Sequence, residues 1–206
     1  MPFILIPCKT LRDGKSRLAG VLSPEERHAL CRRLLQNTLR VALAIEPAAR
    51  IRLLTPDPEA AHIAAARGVA VIDDRGAGLN AALRRGRAAA LDADGGDAAA
   101  LILPIDLPYA TADAMAAALA RTGDVMLAPD GARRGTNLLY LGPRALRTFP
   151  FAFGAESFAA HRDAALRAGC ELAVVDDPRL AFDLDRPEDY RALAQRSGYS
   201  VIVNPS

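Results

Sequence analysis

Charge of one sign is in short supply: 26 basic residues stand against 24 acidic ones, a net of +2 over 206 residues. A nucleic-acid groove or an anionic-membrane surface draws on a broad basic excess, so both lose global electrostatic support and only a local basic site stays open. Cysteine is scarce as well. Cys8, Cys31 and Cys170 match neither a paired framework nor a C-x-x-C metal pattern, which suits small core residues in a reducing compartment. No stretch attains the ~18 apolar residues of a membrane span, and Met1–Pro7 offers neither a basic leader nor a long apolar core for a signal peptide. A soluble, cytoplasmic protein is expected. His28, His62 and His161 sit in helical patterns with no ligand pair beside them, so surface or core-edge roles are expected of each rather than catalysis.

What the chain does have is alternation. Apolar runs of strand length, Phe3–Ile6, Ile51–Thr55, Val69–Ile72, Ala99–Leu103, Val125–Ala128, Leu138–Leu141 and Leu172–Val175, are separated by helical patterns, which predicts an α/β sandwich. Ser23-Pro24-Glu25-Glu26 is a strong helix start, with Leu30, Leu34, Val41 and Ile45 marking its buried face. Further helices are predicted from Asp57 to Ala66, Asn80 to Ala90, Thr111 to near Gly123, Glu156 to Ala168 and Pro187 to Gln195. Most strands lack polar alternation, so the sheet should be mainly parallel and covered on both faces. No Ser/Gly-rich or charged stretch divides the chain, and residues 1–206 read as one domain. Ser197–Val203 is apolar enough to add an edge strand to its own chain or to a partner.

Ligands in such sheets gather beyond the carboxyl ends of strands, which here read Pro7-Cys8-Lys9, Thr55-Pro56-Asp57, Pro104-Ile105-Asp106 and Pro129-Asp130. Asp106 closes one apolar run, while Asp183 and Asp185 flank Leu184 after another; two residues apart on a strand share a face, so the pair is placed to grip one or two ions with Asp106 arriving from a neighbouring strand. Oxygen ligands of this kind favour Mg2+ or Mn2+ and a phosphate-bearing substrate. Singly, each Asp reads better as a turn or a helix cap, and it is the combination with the basic N-terminal segment that reverses the preference. Lys9, Arg12, Lys15 and Arg17 put four cations into one short loop, an anion-binding composition. Gly14-Lys15-Ser16 is not a P-loop, since that motif needs glycine where the chain has Lys9. Gly76-Ala77-Gly78-Leu79-Asn80 suits either a purine lying against bare backbone or a tight turn with Asn80 as cap. Arg133-Arg134-Gly135-Thr136-Asn137 and Gly154–Ser157 are further phosphate candidates, though ordinary turns claim such segments as readily.

Read together, Pro7-x-Lys9 with Lys15-Ser-Arg17-Leu18, Leu22-Ser-Pro-Glu-Glu-Arg27, Gly78-Leu-Asn80, Leu103-Pro-Ile-Asp106-Leu-Pro108, Gly135-Thr-Asn137, Phe151-x-Phe-Gly154-x-x-Ser157-Phe158 and Asp183-Leu-Asp185-x-Pro-Glu-Asp189 resemble the CofC/FbiD phospho-acid guanylyltransferases of coenzyme F-420 biosynthesis. The likeness runs from about residue 3 to 193 and leaves 197–206 as an extension. It implies a nucleotide-diphospho-sugar transferase (MobA-like) fold, a three-layer sandwich around a mostly parallel mixed sheet, acting on GTP and a small phospho-acid with Mg2+ as monomer or homodimer. By the same likeness Asp106, Asp183 and Asp185 hold the metal, and Thr136, Gly154 and Ser157 hold the acceptor. Lys9, Lys15 and Arg17 face the triphosphate, with Lys15, Arg17 and Asp106 closest to the chemistry, while Pro7, Thr55, Gly78, Asn80 and Pro104 surround the nucleoside. Arg133 and Arg134 replace a Gly-Thr pair usual in the family, and two extra cations there suit 3-phospho-D-glycerate among acceptors that also include phosphoenolpyruvate and 2-phospho-L-lactate. A sugar-phosphate or molybdopterin nucleotidyltransferase is the nearest competitor, although Ile6-Pro7-Cys8-Lys9 stands where those carry a Gly-rich loop. A non-catalytic nucleotide-binding domain is the other.

Overall fold

Strand β1 (Phe3–Pro7) buries both of its faces, and its alternation sends Ile4 and Ile6 into one apolar cluster and Phe3 and Leu5 into another. The computed structural model, which describes residues 1–121 and 123–195, places this strand in the interior of a seven-stranded sheet. The remaining strands are β2 (Ile51–Leu54), β3 (Ala70–Ile72), β4 (Ala100–Ile102), β5 (Val125–Pro129), β6 (Thr136–Leu141) and β7 (Leu172–Val174), in the order β3-β2-β1-β4-β6-β5-β7. Pairing is parallel everywhere except at β6, which runs antiparallel to both β4 and β5. The chain moves outward from β1 through β2 to β3, then returns to β1's other side as β4. A crevice therefore opens past the carboxyl ends of β1 and β4, where this kind of sheet binds ligands.

Helices cover both faces. On one lie α1 (Pro24–Ile45), α2 (Pro58–Ala65) and α4 (Ala112–Leu119); on the other α3 (Leu79–Ala93), α5 (Pro143–Thr148) and α6 (Ser157–Arg167). The capping box at Ser23 forms as the sequence predicts: its hydroxyl accepts the Glu26 amide at 3.2 Å and its own amide donates to Glu26 Oε2 at 2.7 Å. Asp57 caps α2, accepting amides from Glu59 and Ala60. Two short helices, α5 and α7 (Pro178–Ala181), lie outside the sequence expectation. Each has proline at its first turn, but neither is long enough to show a period. Helix α4 ends at Leu119, short of the expected Gly123. A last helix, α8 (Pro187–Gln195), packs Leu193 into a third, smaller cluster with Leu18, Leu30, Leu34, Tyr109 and Leu184. The apolar Ser197–Val203 segment lies outside the described residues, among which no helix is long and apolar enough to cross a membrane.

Candidate active site

The loop after β1 owes its shape to buried anchors rather than to regular structure. Leu11 and Leu18 are sunk into the core, and the Leu11 amide donates to Asp57 Oδ2 at 2.7 Å. Asp57 thus uses one oxygen to cap α2 and the other to hold the basic loop. Gly14 is required by contact: a Cβ there would meet Cys31 Sγ at 2.6 Å. Lys15 follows in the left-handed region, φ 52°, just before a 3-10 turn over Ser16–Leu18. Valine at position 14 should therefore push Lys15 out of place. Thermal melts should show stability lowered by about 1–3 kcal/mol, as for other overpacked sites.

That backbone delivers the Lys15 side chain, only 8% exposed, to two carboxylates: Nζ lies 3.2 Å from Asp106 Oδ2 and 3.8 Å from Asp185 Oδ1. Burial works against its charge, but Asp106 and then Asp185 outweigh it and raise Lys15 above the ordinary lysine range. Arg17 reaches the other oxygen of Asp185. Asp106 comes from the turn that follows β4. Its carbonyl accepts the Leu184 amide at 2.9 Å, so the segment carrying Asp183 and Asp185 is stitched to it directly. This segment is an extended coil after α7, not the strand that the alternation predicts. Buried Leu184 anchors its middle, and Asp189 accepts the Asp185 and Arg186 amides at 3.1 and 2.7 Å, which accounts for the spacing of the Asp-Leu-Asp-x-Pro-Glu-Asp run.

Asp183 is the carboxylate under most pressure. Burial, then the charges of Asp106, Asp130 and Asp185, push it up to about 6. Asp130, whose Oδ1 accepts the Arg134 amide, is a fourth member of this acidic field that its place at a strand end foreshadows. Among the described residues no three His, Cys, Asp or Glu side chains already form a cation cage; the Lys15 ammonium spans Asp106 and Asp185 instead. A group raised in this way stabilises the fold below its unfolded value of 3.8 and loses that contribution as pH climbs through about 6. In the metal-free protein, Asp183→Asn should therefore gain in Tm relative to wild type as pH rises from 4 to 7, which thermal melts in EDTA will show.

Across the crevice, the turn before α3 uses positive φ at Arg75, Gly76 and Gly78 and brings the start of the helix to the cleft. Asp74, buried and accepting the Gly76 amide, braces it. The cleft so formed has a volume of ≈ 650 Å3. Of the residues expected from the sequence, Pro7, Lys9, Lys15, Arg17, Gly78, Pro104, Asp106 and Asp185 line it. Ser16, Pro56, Gly76 and Leu79, which belong to motifs read from the sequence, line it too, as does Thr10, which carries no sequence signal of its own. Cys8 and Cys31 are in the wall; burial, followed by Cys31 and two aspartates, pushes Cys8 up to about 12, an inert thiol.

The remaining expected residues sit behind or beside the cleft. The Thr55 hydroxyl accepts the Asp57 amide at 3.1 Å. Asn80 is neither a helix cap nor free for a base, because its amide group makes a reciprocal pair with the Phe153 backbone at 3.0 and 3.1 Å, and Gly78 is the cap. Thr136 and Ser157 are buried together, the Thr136 amide donating to Ser157 Oγ at 2.9 Å, with Gly154 accepting the Ser157 amide. Arg133 pairs with Asp176 and lies over the Phe158 ring, and Arg134 pairs with Glu156 at 2.7 Å. His161 corrects the sequence expectation: it is wholly buried rather than at a core edge, between Phe149 and Phe153, and burial pushes it down to about 4.

A cationic strand-end loop facing clustered carboxylates over an open cleft is equipped to receive a nucleoside triphosphate. The fold is similar to that of a nucleotidyl transferase from Methanothermobacter, with a TM-score of 0.62 at 17% identity over 93% of this chain and 96% of that one. The chain is a nucleotidyltransferase, and its sequence says of which family. Residues 2–196 match the family described as guanylyl transferase CofC like, and the chain belongs to that family. It is similar to the phosphoenolpyruvate guanylyltransferase of Rubrobacter xylanophilus, 41% identical over 201 residues covering 95% of each chain. It is also similar to the 3-phospho-D-glycerate guanylyltransferase of Phenylobacterium zucineum, 44% identical over 182 residues, 85% of this chain and 82% of that one.

Proposed function

We propose that this guanylyltransferase moves GMP from GTP onto the phosphate of a three-carbon phospho-acid, phosphoenolpyruvate or 3-phospho-D-glycerate, releasing pyrophosphate in a step toward the deazaflavin coenzyme F-420. The observation that carries this reading is the convergence on one cleft of Lys9, Lys15 and Arg17 with Asp106 and Asp185 and the glycine turn at Gly78. The triphosphate lies along the three cations, and the nucleoside lies against Pro7, Pro104 and the turn at Gly78, with Thr55 and Asn80 holding the backbone behind it. Thr136, Gly154 and Ser157 receive the acceptor.

An oxygen of the acceptor phosphate attacks the α-phosphorus in line; one P–O bond forms, the bond to the β-phosphate breaks, and pyrophosphate leaves with the electron pair. Such a phosphate has a second pKa near ~6 and is largely dianionic at neutral pH, so no protein base is needed. Lys15 and Arg17 meet the charge that grows on the departing group. The donor set of Asp106, Asp183 and Asp185, all oxygen, suits Mg2+ or Mn2+, and the charges of Asp106, Asp130 and Asp185 add to the burial that pushes Asp183 up to about 6. A divalent cation held there would supply further neutralisation of the phosphates.

Relatives named for both acceptors leave the choice between them to this chain's own residues. The charge argument for 3-phospho-D-glycerate weakens, since Arg133 and Arg134 already answer Asp176 and Glu156. Free thiols at Cys8, Cys31 and Cys170 accord with a cytoplasmic setting. Mass spectrometry of products from GTP, Mg2+ and each of phosphoenolpyruvate, 3-phospho-D-glycerate and 2-phospho-L-lactate tests the proposal. A guanosine diphosphate ester with one acceptor supports it; no pyrophosphate with any acceptor overturns it.

A further inference from the structure

Position 161 holds a histidine that no step above uses, yet both of its ring nitrogens are engaged. Nε2 lies 3.0 Å from the Ala152 amide, and Nδ1 lies 3.0 Å from Thr136 Oγ1. A backbone amide only donates, so Nε2 must carry its lone pair and the neutral ring must carry its proton on Nδ1. Thr136 Oγ1 is then the acceptor in that pair, and its own hydrogen remains to be given to another partner. The same logic applies next door: Ser157 Oγ accepts the Thr136 amide, leaving the serine hydroxyl hydrogen for another partner as well. Two adjacent hydroxyls that each accept a hydrogen bond from within the protein keep their own hydrogens to give, an arrangement suited to an oxyanion.

We infer that His161 is a positioning residue for acceptor recognition, locked as the Nδ1–H tautomer by the Ala152 amide so that the Thr136 hydroxyl is presented as a donor to the phospho-acid. This inference rests on the reading that Thr136 contacts the acceptor. The ring is held edge-on to Phe153, centroids 4.8 Å apart, and its burial keeps it neutral at physiological pH, so the arrangement does not depend on protonation.

Asparagine places an amide N–H near the position of Nδ1, whereas glutamine reaches the Nε2 side only. His161→Gln is expected to raise the KM for the phospho-acid at least tenfold while leaving the KM for GTP within twofold. His161→Asn should restore most of the acceptor KM, although both variants lose similar thermal stability. Thr136→Val should show the acceptor defect alone, and adding His161→Gln to it should cause no further rise. Imidazole 15N NMR of the wild-type protein at neutral pH should show the proton on Nδ1. If Thr136→Val keeps the wild-type acceptor KM, the assignment of Thr136 to the acceptor fails. If Thr136→Val is defective but His161→Gln and His161→Asn shift both substrates equally, or NMR finds the proton on Nε2, the positioning role is overturned.

Discussion

Asp106→Asn protein is expected to release pyrophosphate from GTP and acceptor roughly 10³-fold more slowly than wild type, the scale seen when one preorganised electrostatic contact to a transition state is lost. The change is nearly isosteric and removes one of the charges that, after burial, push Asp183 up to about 6. Folding should survive it, because the Asp106 carbonyl that accepts the Leu184 amide belongs to the backbone and is untouched. Lys15 keeps Asp185 as a partner. Circular dichroism and a melting temperature within a few degrees of wild type, together with a collapsed turnover number, are the anticipated pair of results. Near-normal turnover would remove the carboxylate from the chemistry.

Replacing Lys15 by methionine should hurt GTP use and help metal binding at once. The ammonium sits 3.2 Å from Asp106 and 3.8 Å from Asp185, so without nucleotide it occupies the negative field in which a divalent cation would be held. With it gone, Mn2+ should bind the nucleotide-free protein more tightly by titration calorimetry, and added Mg2+ should recover the Tm lost in EDTA. The KM for GTP should meanwhile rise about 10-fold and kcat fall by on the order of 10², since nothing replaces the cation facing the phosphates. Unchanged Mn2+ affinity would show that the lysine and the ion do not share these carboxylates.

Much of the scaffold can be read from local patterns because local forces build it. Runs such as Phe3–Ile6 and Val125–Ala128 are buried on both faces, and the capping box at Ser23 is complete within four residues. The site is less legible. Lys15 meets Asp106 and Asp185 only through the chain crossover, and nothing near Gly14 announces that Cys31 will press against it. Asp183 and Asp185 do approach Asp106, but through a tethered coil and not through the strand geometry that spacing suggests. Polar residues such as Asn80, Thr55 and Thr136 are the hardest to place, since a side chain that braces backbone and one that greets a ligand look alike until their partners are known. His161 shows the same gap: Thr136 and Ala152, which make its burial affordable, lie in other segments of the chain.

The small cluster that joins Leu18, Leu184 and Leu193 bears on how the protein matures during synthesis. Leu18 steadies the cations, Leu184 steadies the acids, and the final described helix closes over both. A nascent chain still held on the ribosome at residue 180 possesses nearly the whole sheet yet lacks both Asp183 and Asp185 and the helix that seats them. On the proposed reading, a chain cut at residue 180 should hold all seven described strands yet release no pyrophosphate.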